Sequence, residues 1–258
     1  MTAYRRALVR RPAPVLAEGI TTHIERVPID LDLAYRQWQA YVAALSDSGW
    51  DIVEVAPADD CPDSVFVEDS AVMYGSLAVL TSPGAESRRG EIAGTARAMA
   101  ELGYRTASIV RPGSIDGGDV LKIGAQVYVG RGGRTNAEGV RQLRAALAPL
   151  GAAVTAVPMT KALHLKSAVT ALPDGTVIGY DPAVDNPAFF PRYLSMPEEA
   201  GAHVVELGDG LLLMSSAAPE STALIEDLGY SVVPVDISEY EKLEGCVTCL
   251  SIRLRAAP

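Results

Sequence analysis

The chain has few of the residues on which several classes of protein depend. It holds only three cysteines and three histidines in 258 residues. Three is an odd and low cysteine count, which suits a reducing cytoplasm better than a disulfide framework. No apolar run approaches the ~18–20 residues of a membrane span, and the basic N-terminus lacks the apolar segment that a signal peptide requires. The sequence therefore predicts a cytoplasmic protein with no membrane partner.

Basic charge is also scarce. The chain has 22 Lys and Arg against 32 Asp and Glu, which gives a net charge of −10. A surface of that sign disfavours binding to nucleic acid and is compatible with attracting a small cationic substrate. At 258 residues the chain can form one domain with a large core or two small ones.

One pattern recurs five times along the chain: a helical segment, a glycine, and a short run that suits a strand. Glycine just past a helix is a common stop, and β-branched residues favour a strand. The first four glycines lie about 50 residues apart and the last interval is about half of that, a spacing typical of repeat folds. The glycines are Gly49, Gly103, Gly151, Gly201 and Gly229, and the runs after them are residues 50–55, 104–110, 152–157, 202–207 and 230–235.

The other predicted elements fit the same repeat. Apolar spacing predicts helices over residues 33–46, 86–102 and 135–150. Paired strand-like runs precede the second and third of these helices, at residues 66–73 with 77–81 and at 120–123 with 127–129. Five such units would close into an α/β propeller, with a doubly wound α/β fold as the alternative. Because the last interval is short, the fifth blade is expected to lack part of its first hairpin.

A thiol, an imidazole and a carboxylate together suggest an activated nucleophile. Cys249 lies near the C-terminus, His164 opens the run His-Leu-Lys-Ser, and Asp116 opens an Asp-Gly-Gly-Asp turn. In such sites the carboxylate orients the histidine and the histidine handles the proton. The other histidines, His23 and His203, stand beside no comparable turn. Asp-Gly-Gly is also ordinary turn chemistry, so the turn alone does not decide the question.

Cys246 and Cys249 form a C-x-x-C pair, which could be a redox pair, part of a zinc site or a pair of buried cysteines. A redox pair would place its first cysteine at a helix N-terminus, whereas the residues after Cys249 alternate like a strand. A zinc site needs about four ligands, and the sequence has no second close pair. A single cysteine in a strand is most often a small buried hydrophobe. The accompanying His164 and Asp116 argue against that last reading for Cys249.

Three carboxylates and two arginines stand in unusual settings. Asp63 begins an apolar run that ends in Glu68 and Asp69, and adjacent acidic residues in a strand would point to opposite faces. A carboxylate cluster suits a guanidinium, although a solvated strand end is the alternative. Arg88 and Arg134 stand at predicted helix starts, where free backbone N–H groups already favour anions. They could hold a substrate carboxylate, although exposed arginines are commoner.

Six runs containing these residues resemble the dimethylarginine dimethylaminohydrolase family of the amidinotransferase, or pentein, superfamily. They are residues 62–69 (PDSVFVED), 83–89 (PGAESRR), 116–120 (DGGDV), 134–139 (RTNAEG), 164–167 (HLKS) and 239–251 (EYEKLEGCVTCLS), in the family's order. The resemblance implies a fivefold pseudosymmetric α/β propeller with a central active-site channel, formed by residues 1–258 as a single domain. Residues 207–215 are shorter than in the family, which leaves the strand count of the fifth module open.

The resemblance also implies a role for each site residue. Cys249 would be the nucleophile and His164 the general acid and base. The remaining residues would bind the substrate. Asp116 would hold its guanidinium, and Glu68 and Asp69 would be further carboxylates that contact the substrate. Asp63 and the backbone carbonyls of Ile20 and Leu243 would bind its α-amino group, and Arg88 and Arg134 would bind its α-carboxylate. No metal or organic cofactor is implied.

The implied activity is hydrolysis of dimethylarginine and monomethylarginine to citrulline and an alkylamine, through a covalent Cys-thiouronium intermediate. The nearest alternatives are an arginine deiminase or another guanidine-modifying pentein enzyme such as an amidinotransferase. Arginine deiminases usually carry an extra helical insertion, for which 258 residues leave little room. A non-catalytic arginine-binding propeller and a thiol redox protein are alternatives of other classes. The expected partner is a small guanidino substrate, and the candidate assembly is a homodimer.

Overall fold

Five three-stranded sheets of the same connectivity make up the molecule, and the computed structural model describes residues 4–258. In each sheet the central strand pairs antiparallel with one neighbour and parallel with the other. The strands are β1 (Arg6–Val9), β2 (Asp51–Glu54), β3 (Ala71–Tyr74), β4 (Leu77–Leu80), β5 (Arg105–Ser108), β6 (Val120–Ile123), β7 (Gln126–Arg131), β8 (Ala153–Pro158), β9 (Val169–Ala171), β10 (Val177–Gly179), β11 (Tyr193–Ser195), β12 (Val205–Gly208), β13 (Leu211–Ser215), β14 (Ser231–Val235) and β15 (Ile252–Leu254). This repetition confirms the fivefold α/β propeller.

Helices supply most of the crossovers that parallel strands require. They are α1 (Leu31–Asp47), α2 (Ile92–Glu101), α3 (Ala137–Leu147), α4 (Leu165–Ala168), α5 (Pro219–Asp227) and α6 (Ser238–Glu241). The crossovers of the first, second, third and fifth sheets are α1, α2, α3 and α5. The fourth crossover has only the 3₁₀ turns Asp181–Ala183 and Pro187–Phe189. Among residues 4–258, no helix combines the length and the apolar character needed to cross a bilayer.

The first and last strands lie in the same sheet and close the ring. β1 is the central strand of that sheet, with Arg6 opposite Leu254 and Leu8 opposite Ile252 in the antiparallel pairing with β15. The apolar clusters lie between neighbouring modules: one joins Ala7 of β1 to Leu213 of β13. Each module therefore buries apolar surface against its neighbours, as repeat folds require.

Most predicted elements lie where the sequence put them, but one predicted helix and one predicted strand differ in part from the observed elements. The predicted helix over residues 86–102 begins as a 3₁₀ helix, Glu86–Glu91, and becomes α2 only at Ile92. The predicted strand over residues 66–73 is wrong in its first half. Val67–Ser70 forms a 3₁₀ turn whose four side chains are all buried, and β3 starts after it. A strand would have turned either Glu68 or Asp69 away from the interior.

Gly201 is the one glycine of the five whose assignment was wrong. Gly49, Gly103, Gly151 and Gly229 end their helices with positive φ angles of 80°, 83°, 79° and 90°. Gly201 instead lies in the 3₁₀ turn Ala200–Ala202, ahead of the fifth hairpin. A Cβ there would lie 1.9 Å from Ser221 Oγ, so close packing against α5 requires the glycine. The fifth module is complete with β12, β13 and β14, and the expected loss of part of its hairpin is also wrong.

A fully buried arginine joins the first and second modules. Arg10 follows β1 and is 0% exposed. Its guanidinium donates to the carbonyls of Ala56 at 3.1 Å, Ser64 at 3.3 Å and Glu91 at 2.9 Å, and to Thr95 Oγ1 at 3.3 Å. Removing this side chain would leave several buried acceptors without a donor, and each such loss is costly.

Replacing Arg10 with Ala should lower the free energy of unfolding by about 3 kcal/mol or more, because it leaves a cavity lined with unpaired acceptors. The matched control is Arg11→Ala, which removes only a solvent-exposed ion pair with Glu54 and should have a much smaller effect, because water and salt screen such a pair. Urea denaturation of both variants measures the difference. Equal, small losses in the two variants would show that Arg10 does not hold the modules together.

Candidate active site

A narrow cavity brings together most of the residues singled out in the sequence. It has a volume of about 20 Å³. Eight of the ten predicted site residues line it: Ile20, Asp63, Asp69, Arg88, Arg134, His164, Leu243 and Cys249. Asp116 and Glu68 are not among the lining residues. The cavity is therefore the candidate active site, and the other two residues need separate accounts.

The fivefold repeat explains how side chains far apart in sequence meet here. Asp69, Asp116, His164 and Cys249 lie in the connections that enter β3, β6, β9 and β15, which are the antiparallel partners of four central strands. The corresponding connection of the fifth module, before β12, carries His203. Equivalent positions in a ring of sheets converge on one end of the central channel. The site is thus assembled by one structural position repeated around the ring.

Cys249 is held in a tight turn that several elements fix in place. Its N–H donates to the carbonyl of Cys246 at 3.0 Å, and its own carbonyl accepts from the N–H of Glu68 at 3.1 Å. The Tyr41 hydroxyl, from α1, donates to the carbonyl of Val247 at 2.8 Å. The thiol is 5% exposed and faces the cavity. These bonds fix the direction of the sulfur.

His164 lines the same cavity as this thiol, and carboxylates surround its imidazole. Its Nε2 lies 3.0 Å from Asp116 Oδ2 and its Nδ1 lies 3.9 Å from Asp69 Oδ1. Burial alone would lower the pKa of His164, but Asp69, Asp116 and Asp119 outweigh burial and raise that pKa to about 9. The ring therefore carries a proton at neutral pH, as a general acid must.

Asp116 lies behind His164 and does not line the cavity. It is 0% exposed. One carboxylate oxygen accepts the N–H of Gly84 at 2.9 Å and the other contacts His164. The expectation that Asp116 holds the substrate guanidinium is therefore corrected by its position. The geometry is that of a carboxylate that orients a histidine and stabilises its charged form.

Asp69 and Arg88 form a buried ion pair on the wall of the cavity. Asp69 Oδ2 lies 2.5 Å from Arg88 Nη1, and Asp69 Oδ1 accepts the N–H of Gly118 at 2.7 Å. Burial by itself would raise the pKa of Asp69, but the charges of His164 and Arg88 lower that pKa to about 2. Asp69 is therefore an anion at neutral pH, and its oxygens retain lone pairs for a further donor.

Most donors of Arg88 are occupied within the protein. It donates to Glu91 at 2.9 and 2.8 Å and to the backbone carbonyls of Asp63 and Phe66 at 3.1 Å each, besides the bond to Asp69. A guanidinium has five N–H groups, so one hydrogen on Nη1 is left for a ligand. The structure thus places Arg88 first as a scaffold for Asp69 and second as a donor to the cavity.

Asp63 and Arg134 are charged groups of the cavity that retain unused hydrogen-bonding capacity. Asp63 Oδ1 accepts the N–H of Ile20 at 3.0 Å, while its buried Oδ2 has no hydrogen-bond partner within residues 4–258. Burial raises the pKa of Asp63, a sign that this carboxylate lacks compensating donors. Arg134 donates only to Thr22 Oγ1, at 3.5 Å, and forms no ion pair in the described part of the chain. One unsatisfied anion and one unsatisfied cation thus face the same space.

Glu68 points away from the other site residues. Its Oε1 lies 2.6 Å from both Lys166 Nζ and Arg253 Nη2. It lines a different cavity, of about 270 Å³, together with those two cations. The expectation of direct substrate contact is therefore corrected by its position. Glu68 positions Cys249 through its backbone N–H, and its side chain forms a buried salt-bridge cluster beneath the cysteine turn.

A second group of buried residues, not expected from the sequence, supports His164 and Arg88. Asp119 accepts the Leu165 N–H at 2.9 Å and the Thr135 hydroxyl at 2.5 Å, which fixes the start of α4 just after His164. Burial raises the pKa of Asp119 to about 6. Asp119 was visible as the last residue of the Asp-Gly-Gly-Asp turn, but its partners are distant in sequence. Glu91, which shares Arg88 with Asp69, had no comparable signal.

Asp69, Asp116 and His164 also offer three ligand atoms within 4.8 Å of one another, a spacing that a metal could use. Each of these groups already has hydrogen-bond partners, and Arg88 adds a positive charge beside Asp69. A metal would displace the bond between His164 and Asp116 and repel Arg88. The donor set therefore fits a histidine–carboxylate network better than a metal centre.

Comparisons with known proteins agree over the whole chain. No family model matches the sequence. The chain is 63% identical over 251 residues to the N(G),N(G)-dimethylarginine dimethylaminohydrolase of Streptomyces coelicolor, covering 97% of each protein. The Pseudomonas aeruginosa enzyme, solved as a cysteine-to-serine variant with citrulline, has a TM-score of 0.91 at 34% identity, covering 98% of this chain and 100% of that one. A histidine-to-glycine variant of a dimethylarginine dimethylaminohydrolase, solved as an adduct with S-methyl-L-thiocitrulline, also has a TM-score of 0.91, at 33% identity over 97% of this chain and 100% of that one.

Replacing Asp116 with Asn should lower the pKa of His164 by about one unit or more, because a neutral amide no longer stabilises the imidazolium. The parent ring should hold its proton until pH approaches about 9, and the variant ring should lose it at a lower pH. Nitrogen-15 NMR titration of the imidazoles measures the shift. The control is Asp185→Asn, an exposed carboxylate that accepts only from residues 160 and 161. An unchanged His164 titration in Asp116→Asn would contradict the assignment.

Proposed function

The chain belongs to the dimethylarginine dimethylaminohydrolase family, and from that membership we propose that it hydrolyses Nω-methylated arginines to citrulline and an alkylamine. The observation that carries the proposal is the cavity itself. It places a thiol, a protonated histidine and an unsatisfied carboxylate and guanidinium within one small space. A methylarginine has one electrophilic cation at one end and an amino acid group at the other, which matches this set of charges.

The amino acid end of the substrate would bind at Asp63 and Arg134. The unpartnered Oδ2 of Asp63 suits an α-ammonium group, and the backbone carbonyls of Ile20 and Leu243 lie on the same wall. Arg134 would bind the α-carboxylate, with the spare Nη1 hydrogen of Arg88 as a second donor. Charge-assisted hydrogen bonds to the α-ammonium and α-carboxylate groups would fix the position of the substrate's aliphatic chain, and with it the position of the guanidinium.

The guanidinium would lie against Asp69, with its central carbon over Cys249. Cys249 itself is a poor thiolate before substrate binds, since its bond to Cys246 and its burial raise its pKa well above the ordinary value. A cation bound at Asp69 would favour ionisation of the nearby sulfur. The substrate would thus help to create the nucleophile that attacks it.

The chemistry then proceeds in two halves. The Cys249 thiolate attacks the guanidinium carbon, and His164 protonates the departing alkylamine, which leaves a covalent thiouronium on the cysteine. His164, now neutral, takes a proton from water as that water attacks the same carbon. Collapse of the second adduct releases citrulline and restores the thiol. Asp116 keeps the imidazole oriented in both halves.

Substrate entry requires a loop to open. A cavity of about 20 Å³ holds little more than one water molecule. The covering loop is fastened by the carboxylate of Glu244, which accepts the N–H groups of Thr22 at 3.0 Å and Ile24 at 3.1 Å, and also that of His23. These bonds are at the surface and few in number, so the loop around Ile20 can act as a lid.

We further propose that residues 1–258 act as one domain in the cytoplasm, without metal or organic cofactor. The pairing of β1 with β15 ties the two ends of the chain into one ring, which supports the single domain. Three reduced cysteines suit a reducing compartment. The homodimer stays a prediction, which size-exclusion chromatography with light scattering would check.

Citrulline formation from dimethylarginine, monomethylarginine and arginine, measured side by side, tests the proposed reaction. The methylated substrates should be preferred, whereas preference for arginine would favour a deiminase. Cys249→Ser should abolish citrulline formation, because a serine hydroxyl is not ionised at neutral pH. Cys246→Ser should keep most of the activity, since that sulfur does not line the substrate cavity. Equal loss in both variants would contradict the assignment of Cys249 as the sole nucleophile.

Arg134→Ala should raise KM about tenfold or more for monomethylarginine and much less for methylagmatine, which lacks the α-carboxylate. Arg88→Ala should impair both substrates, because it also removes the partner of Asp69. The matched control, Arg131→Ala, removes an exposed guanidinium at the end of β7 and should change neither value. Steady-state kinetics with both substrates gives the comparison. Should Arg134→Ala impair the two substrates equally, Arg134 would have no role in carboxylate binding.

A further inference from the structure

The two thiols of the C-x-x-C pair are close enough to react with each other. Cys246 Sγ lies 3.4 Å from Cys249 Sγ. The N–H of Cys249 donates to the carbonyl of Cys246 at 3.0 Å, so the four residues form a hydrogen-bonded turn. Such a turn keeps the terminal Cα atoms within about 7 Å, and disulfides usually need about 4.4 to 6.8 Å. The sulfurs would have to approach by about 1.4 Å to bond, which side-chain rotation can supply.

The two sulfurs face different spaces. Cys249 lines the narrow substrate cavity, whereas Cys246 lines a separate cavity of about 270 Å³. His203, Glu241 and Glu244 also line that second cavity. A small oxidant can therefore reach Cys246 without passing through the substrate site. His203 occupies the position in the fifth module that carries the active-site residues in the other four, so the second cavity is built at the same end of the ring.

Cys246 has the environment of a reactive thiolate. The hydrogen bond from Cys249 lowers the pKa of Cys246 against the cost of burial, and the charge of His203 and a bond with Thr248 add to this effect. Thr248 Oγ1 lies 3.2 Å from its sulfur. Within the pair the first proton is lost readily and the second is held, because one thiol donates to the other thiolate. Low-pKa thiols beside a second cysteine are the ones that oxidise reversibly.

We propose that Cys246 and Cys249 form a redox-modification site, in which a hydroperoxide converts the pair into an intramolecular disulfide and removes the nucleophile. The effect on activity rests on the proposed function, whereas formation of the disulfide does not. The Cys246 thiolate attacks one peroxide oxygen, the O–O bond breaks, and water or an alcohol leaves after taking up a proton. The sulfur of Cys249 then attacks the resulting Cys246 sulfenic acid, the S–O bond breaks, and hydroxide leaves as water with the Cys249 proton. Two thiols are oxidised and one hydroperoxide is reduced.

The test treats the reduced, full-length protein with about one equivalent of hydrogen peroxide, without substrate, and follows three readouts. Free thiols should fall from three to one, and intact mass should fall by about two mass units for the two thiol hydrogens lost. Citrulline formation should be lost in parallel and should return on addition of dithiothreitol. Cys61→Ser is the matched control, because it removes the third cysteine and should show the same changes in mass and activity.

Cys246→Ser is the decisive variant. Its activity after peroxide treatment is compared with the activity of the same variant before treatment. At one equivalent of peroxide the variant should show no loss of two mass units and should instead gain one oxygen on Cys249. Excess peroxide should oxidise Cys249 of this variant beyond the sulfenic acid, so that dithiothreitol restores the activity of the parent but not that of the variant. Three free thiols remaining in the inactivated parent, a covalent dimer, or equal recovery of parent and variant after excess peroxide would each overturn the proposal. Absence of any citrulline formation before treatment would refute the proposed function alone, since the thiol count and mass still decide the redox site.

Discussion

The site depends on the balance between buried carboxylates and the cations beside them. Asp69 and Asp116 are almost completely excluded from water, and an unpaired buried carboxylate would be strongly destabilising. Arg88 compensates Asp69, and a protonated His164 lies between Asp69 and Asp116. The same contacts keep His164 charged, keep Asp69 anionic, and fix the positions of both around the thiol. Structural stability and catalytic readiness therefore come from one network.

The fivefold repeat makes this network geometrically feasible. No single sheet carries Asp69, Asp116, His164 and Cys249, but the equivalent connections of several sheets bring them to one end of the ring. The fifth connection, with His203, extends the same end toward Cys246. One cavity thus holds Cys249, the proposed nucleophile, with the groups proposed to bind substrate, and a second holds Cys246, the proposed disulfide partner of Cys249. Substrate and oxidant can therefore approach the pair from different cavities, because the two sulfurs face different spaces.

Local signals in the sequence were sufficient for most helices and strands, and eight of the ten residues that they singled out line one cavity. Glycine stops such as Gly49 depend on near neighbours, so the sequence predicts them directly. Glu68 and Asp116 were placed in the right region but with the wrong contacts, because the direction of a side chain on irregular backbone depends on partners far along the chain. Gly201 was misread for the same reason: its contact with Ser221 is tertiary. The sequence therefore did not predict the direction of side chains that lie outside helices and strands.

The central claim is that Cys249 forms the covalent bond and His164 is needed to resolve it. The most direct measurement is intact mass spectrometry of His164→Gly mixed with S-methyl-L-thiocitrulline, whose thiol leaving group departs without a proton from His164. We expect an adduct on Cys249 that accumulates in the variant and not in the parent. The double variant with Cys249→Ser should form no adduct. Turnover of dimethylarginine by His164→Gly at the parent rate, or an adduct on another residue, would contradict the central claim.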